Sequence, residues 1–331
     1  MFKRVFNSYF YGKSGKGDFE KDDLPRNRWQ LFWEMFRIRF TSFFKLNIIA
    51  LPFFLPTLVV IVLIINSLLG YGAILQQVQE GADTVTPEML ALVDGDMENL
   101  YGLILSGLIW LIPAITISGP GQAGLAYVTR NWARDEHAFV FSDFKDAVKE
   151  NWKQSLLFSL ITSLLPAALF LGWVFYGQMA QNNWIWLIPK YFLLSVGLLW
   201  SLILCYAYPM LVTYQLPFTG VLRNSLLMAV GKLPQTVGIR LAALIPMTIC
   251  VVVSLFTPYS LFALMFLGGY YLLMGCAVSR FLFASVSNAA FDQLLNPRIE
   301  GAEVGRGLKK DDDDLDFEDF EALNDNSEAQ D

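Results

Sequence analysis

The densest group of chemically capable side chains runs Thr129-Arg130-Asn131-Trp132-Ala133-Arg134-Asp135-Glu136-His137, followed by Phe139, Phe141, Ser142, Asp143, Lys145 and Trp152. Arginine, two carboxylates and the single histidine stand in four consecutive positions, a set able in principle to move a proton. Two readings of His137 are open, a proton relay and a hydrogen-bonded loop histidine. One histidine without cysteines or acids at ligand spacing does not make a metal site. Arg130, Arg134, Asp135, His137, Phe141, Asp143, Lys145 and Trp152 are instead the candidate residues of a docking surface, against the plainer alternative of interfacial charge. A second pattern lies just upstream. Gly119, Gly121 and Gly124 stand at the spacing of the dinucleotide fingerprint, with Pro120 between the first two. That fingerprint needs a short strand before it and a soluble βαβ unit around it. An apolar run of membrane-spanning length precedes it here. Gly119, Pro120, Gly121 and Gly124 are therefore candidates for a hinge in a discontinuous helix or for close helix packing. No catalytic residue, cofactor site or metal site is expected, and no nucleic-acid partner.

The elements that must position these residues are membrane spans. The chain is 55% hydrophobic, with mean hydropathy +0.44. Six apolar stretches stand out: Leu46–Gly70, Leu100–Ile117, Leu156–Tyr176, Trp184–Tyr206, Arg240–Phe256 and Tyr259–Val278. A hydrocarbon core ~30 Å thick takes ~20 apolar residues of helix. Runs of this length cross as helices, because lipid offers the peptide groups no hydrogen bonds. The expected fold class is all-α: a polytopic membrane protein of about six transmembrane helices, with amphipathic helices at the inner face and a disordered acidic C-terminal tail. Three regions follow: an interfacial segment 1–45, a membrane domain 46–280, and a cytoplasmic tail 281–331, acidic from 306. The outer loop is 71–99 and the main inner loop 129–154.

Charge sets the orientation. Of 24 lysines and arginines, 23 lie in residues 1–45, 129–154, 213–240 and from 279 onward. The intervening connections carry none, and Lys190 sits near the outer end of span four beside Trp184 and Trp186. Basic connections stay in the cytoplasm, so both termini are expected there. The net charge of −6 belongs to the tail, since residues 311–331 hold eleven acids and no base, leaving an excess of five cations on residues 1–310. Such an inner face favours anionic lipid. The first apolar run starts too late and runs too long for a cleaved signal, so span one is expected to remain. The three cysteines all lie in spans, so no disulfide framework is expected.

Smaller elements are also legible. Phe2, Val5, Phe6, Tyr9 and Phe10 share a helical face, as do Trp29, Phe32, Trp33, Phe36, Phe40 and Phe43, with Arg39 fitting poorly. The first reads as a short helix on the inner membrane surface, and the second as an amphipathic helix feeding span one, either an interfacial anchor or a docking surface. Thr86-Pro87-Glu88 reads as the start of a short outer helix. Ser142 reads as a helix cap, and residues 218–232 as a further inner-face helix. Gly268, Gly269 and Gly275 are expected to allow close helix approach. Asp311–Asp314 with Leu315, Phe317, Phe320 and Leu323 read as a solvated tail, a docking motif or a strap across the cationic face.

Residues Ile117–Leu125, Glu136–Phe139, Ser142–Lys145 and Asn151–Gln154, with the Met1–Phe6 start and the Tyr214–Leu233 stretch, resemble the YesL-like family of bacterial membrane proteins. The resemblance implies a helical polytopic protein of the bacterial plasma membrane with a role in sugar uptake, near binding-protein-dependent sugar importers, and it offers no established catalytic residues to carry over. Its expected partners are the lipid bilayer and a sugar-importer permease or membrane sensor. The long outer loop and Asp-rich tail depart from that pattern. The leading expectation is a non-enzymatic accessory subunit linked to carbohydrate uptake or utilisation. The alternative is a neutral-solute permease, with Thr116, Ser118, Gln122, Thr162 and Ser163 along its path. No ionisable residue stands at mid-span to mark a charge-coupled route.

Overall fold

The computed structural model describes residues 24–81, 85–94 and 96–309. The helix expected within residues 1–11 and the acidic tail beyond 309 lie outside them. Among the described residues every regular element is helical. We number them α1 Arg28–Ile38, α2 Phe40–Gln79, α3 Pro87–Asp94, α4 Asp96–Ala133, α5 Val140–Asn182, α6 Leu187–Thr213, α7 Phe218–Gly231, α8 Leu233–Phe256, α9 Ser260–Tyr270 and α10 Cys276–Leu294. A π-helical stretch, Tyr271–Gly275, joins α9 to α10 without a break. Among the described residues, six helices are long and apolar enough to cross a membrane: α2, α4, α5, α6, α8 and the continuous α9–α10 rod. The chain is a multi-pass helical membrane protein.

Local chemistry explains the boundaries. Asn27 caps α1, its side chain accepting from the Gln30 amide at 2.9 Å, and Gln30 reaches back to the Arg26 amide at 3.0 Å. This reciprocal arrangement satisfies two donors the helix start leaves free. The aromatic stripe from Trp29 to Phe43 is split at Arg39, whose ψ of 10° ends α1 before α2 begins. Thr86 caps α3, its hydroxyl accepting from the Met89 amide at 3.3 Å. Ser142 does not cap α5. The helix starts earlier, at Val140, and the Asp143 carboxylate accepts from the Phe139 amide at 2.9 Å. The connection between α4 and α5 is confined to 134–139, because helix continues on both sides of it.

The central element is α4, packed against α2, α5, α6 and α10. Buried side chains gather at one end of the bundle, the end where α4 finishes and α5 starts. One cluster joins Leu31, Met35, Phe43, Leu46, Leu125, Trp132, Phe144 and Phe281. The other joins Phe158, Tyr206, Met210, Val221, Met228 and Phe291. The opposite halves of the spans are thinly packed and show Val62, Leu255, Phe256, Phe262 and Phe266 to the surroundings. Apolar side chains presented outward along a whole span suit hydrocarbon as solvent. Gly268 and Gly269 belong to this open half. Nothing stands within 4 Å of a Cβ built on either, so they do not mediate close approach. Gly275 does have close neighbours, the rings of Tyr270 and Tyr271.

Candidate functional site

Three features of the packed end build its chemistry. The first is the Gly119-Pro120-Gly121 segment. The helix does not break there; α4 runs unbroken to Ala133. Proline lacks an amide hydrogen, so Pro120 leaves the Thr116 carbonyl without its helical partner. Ser159 of α5 takes that place, donating to the Thr116 oxygen at 2.7 Å. Gly119 makes room for it, since a Cβ there would collide with Ser159 Oγ and the Ser155 oxygen. A Cβ on Gly121 would meet Phe53 at 2.6 Å, and one on Gly124 would meet Phe144 at 2.6 Å. These glycines stand in close contact with α2 and α5 within a continuous helix. Thr116 and Ser163 hydroxyls lie 3.1 Å apart, and Trp200 Nε1 donates to Thr162 Oγ1 at 3.0 Å. Thr116, Thr162 and Ser163 of the expected solute path thus fasten α4, α5 and α6 together, whereas the Ser118 hydroxyl bonds Ile115 of its own helix.

The second feature is an arginine–carboxylate network. Glu136 forms ion pairs with Arg134 Nε at 3.0 Å, Arg306 Nε at 3.3 Å and Arg130 Nη2 at 3.6 Å. Arg130 Nη1 also donates to the Val212 oxygen at 3.2 Å. Asp292 of α10 pairs with Arg28 of α1 and accepts from Asn296 Nδ2 at 2.6 Å and from the Gly305 amide at 3.2 Å. Tyr214 hydroxyl donates to Asn296 Oδ1 at 2.6 Å. The segment after α10 is strapped across this end by Arg306 and by the Lys309 amide, which donates to the Pro25 oxygen at 3.0 Å. Gly307 sits at φ +81°, and a Cβ there would stand 2.8 Å from the Arg134 oxygen. Burial lowers the Arg28 pKa from its ordinary value, with Asp292 opposing. Burial, then the Asp292 charge, pushes the Tyr214 phenol up to about 12.

The predicted docking residues divide at this network. Arg130 and Arg134 are drawn into it, and Asp135 turns the chain with φ 55°. Asp143 caps α5. His137 is exposed, its ring 4.6 Å from that of Phe139. Phe139, Phe141 and Trp152 stand 70%, 65% and 48% exposed, and Lys145 is exposed as well. Phe144, by contrast, is buried against Gly124. Lys190 lies over the Trp173 ring at 3.8 Å, at the opposite end of the bundle.

The third feature has no signal in the sequence. Arg280, counted there among the basic connections, is 9% exposed inside the helix packing. Its Nε donates to Gln122 Oε1. Its guanidinium carbon lies 4.4 Å from the Tyr208 ring centre and 5.7 Å from that of Phe283. The π-helical stretch lies just before it. A π turn frees backbone groups, and Asn47, fully buried on α2, satisfies them. Its Nδ2 donates to the Tyr271 and Leu272 oxygens at 2.9 and 2.8 Å, and its Oδ1 accepts from the Ala277 amide at 3.1 Å.

Fold and site together define a multi-pass helical membrane protein whose ordered polar chemistry is gathered at one end. Residues 99–173 match the family described as "Protein of unknown function, DUF624". The match covers α4 and much of α5, the pair joined by Gly119 and Ser159, and it is consistent with the YesL-like resemblance. No curated protein and no solved structure matches the chain.

Proposed function

We propose that this chain is a non-enzymatic subunit of the bacterial plasma membrane, with both termini cytoplasmic. In this reading its basic face docks on a membrane assembly for carbohydrate uptake or utilisation, either a sugar-importer permease or a membrane sensor. One observation carries the reading. Phe139, Phe141 and Trp152 project, exposed, from the start of α5, beside charged groups already paired into a fixed scaffold. Exposed aromatic residues on a rigid support suit recognition of a partner, because little conformational freedom is lost on contact. Chemistry is disfavoured by the same network, since Glu136, the acid beside His137, is held by three guanidinium groups. The carbohydrate association rests on the family resemblance. The permease alternative loses support because Thr116, Thr162 and Ser163 serve interhelical bonds.

Purification of the tagged full chain from native membranes in several mild detergents tests the proposal. Permease or sensor subunits are expected in the eluate, and Phe141→Ala with Trp152→Ala reduces their recovery several-fold. A lone chain under every gentle condition contradicts it. Sugar flux into proteoliposomes containing only this chain would favour the permease alternative.

A further inference from the structure

Arg280 is the most deeply buried cation among the described residues, and no carboxylate there pairs with it. Its Nη1 is buried without a hydrogen-bond partner. Gln122 Oε1 is its one side-chain acceptor, which leaves the Gln122 amide nitrogen as a further donor. Among the described residues that nitrogen has no acceptor, and neither has the Tyr208 hydroxyl. A second cation joins the group: the Arg240 guanidinium carbon lies 5.8 Å from the centre of Phe283, the ring that Arg280 also approaches. The cluster is therefore rich in donors, doubly positive and lined by aromatic faces. Taking one unpaired guanidinium out of water is costly, and a second like charge nearby adds to the cost. The fold nevertheless holds four helices around this arrangement, with Gln122 on α4, Tyr208 on α6, Arg240 on α8 and Arg280 on α10.

From this geometry we infer that Arg280, Arg240, Gln122 and Tyr208 form a binding site for a phosphate-type oxyanion. Guanidinium groups meet phosphate oxygens with paired, charge-assisted hydrogen bonds, and the amide and phenol supply further donors. The depth fits. Twenty residues separate Ser260, where the α9–α10 rod begins, from Arg280. At ~1.5 Å per residue that is ~30 Å, the thickness of the hydrocarbon core. Arg280 thus stands at the level of the headgroup phosphates of the leaflet on the packed side. A phospholipid headgroup and a soluble phosphate ester share this chemistry. The site does not depend on the docking reading and stands or falls separately from it.

The test uses the purified full chain, delipidated in a neutral detergent. Its melting temperature and probe affinity are measured with phosphatidylglycerol, glycerol 3-phosphate, inorganic phosphate and, as the uncharged control, diacylglycerol. At least one phosphate-bearing probe is expected to raise the melting temperature while diacylglycerol does not. Response to phosphatidylglycerol alone assigns the site to a lipid headgroup, and response to the soluble probes assigns it to a free phosphate compound. Arg280→Gln and Arg240→Gln are each expected to weaken binding by roughly tenfold or more. Arg240 is only half-buried, so its variant remains informative if Arg280→Gln does not fold. Absence of any phosphate-dependent shift in the wild type overturns the inference, as does an undiminished shift in Arg240→Gln.

Discussion

Gly119, Pro120 and Ser159 act as one unit. The proline frees a carbonyl, the glycine admits a neighbouring helix, and the serine of that helix supplies the missing donor. Ser159→Ala removes the donor and leaves the Thr116 oxygen buried and unpaired, at a cost of about 1–2 kcal/mol within the membrane. Gly119→Val forces α4 and α5 apart and should cost more, because the close contact includes Ser155 backbone that cannot rotate away. Thermal unfolding in detergent, followed by helical circular dichroism, measures both, with Gly119→Val melting lowest. Tyr214 offers a residue-scale test by pH. Its phenol, near 10 in an unfolded chain, is raised to about 12 in the fold. Its stabilising contribution is complete below pH 10 and is lost as pH rises towards 12. The absorbance difference between wild type and Tyr214→Phe should show no phenolate at pH 10.5, and phenolate there would contradict the buried geometry.

Helix existence is legible in the sequence, while helix ends and bends depend on partners that no local pattern carries. Each span announces itself by length and hydropathy, and Thr86-Pro87 starts its helix where capping chemistry says it should. Gly119-Pro120-Gly121 reads locally as a breaker, yet α4 passes through because the compensating donor comes from α5. Ser142 reads as a cap, yet Asp143 reaching back to Phe139 starts the helix earlier. The π-helical stretch 271–275 is invisible beforehand, since its stability comes from Asn47, far away in sequence on α2. Asn47→Leu keeps the volume and removes all three bonds. The π turn should then relax toward regular helix, rotating Arg280 out of its contact with Gln122. A clear loss of thermal stability in detergent is expected, larger than that from Asn151→Leu, whose amide bonds only its own helix at Ala147. Equal losses from the two variants would contradict the stitching role.

Across the whole molecule, packing is uneven. Both buried clusters and the arginine–carboxylate network lie at one end, and the other half of the spans presents apolar side chains outward. The cation count along the chain marks that end as basic, and this much was legible because lysine and arginine positions alternate from connection to connection. What the count hides is which cations are solvated. Arg28, Arg130, Arg134 and Arg306 are paired into the network, whereas Arg280 is sequestered. The distinction lies in tertiary neighbours such as Asp292, Glu136 and Tyr208, drawn from distant parts of the chain. Glu136→Gln tests the network as a unit. It removes the charge that opposes three arginines and should release the 299–309 strap, read as faster proteolytic cleavage within that segment while the spans stay protected.

The proposed arrangement is a lipid-embedded bundle with its packed, basic end at the cytoplasmic leaflet. Site-directed labelling tests this directly, because Cys205 and Cys250 are buried and Cys276 half-buried in the spans. Leu90→Cys on α3 and His137→Cys in the α4–α5 turn, both at exposed positions, are treated in intact cells with a membrane-impermeant maleimide. Residue 90 is predicted to label at once, and residue 137 only after the membrane is permeabilised. Labelling of residue 137 in intact cells, or of both residues from the same side, would contradict it.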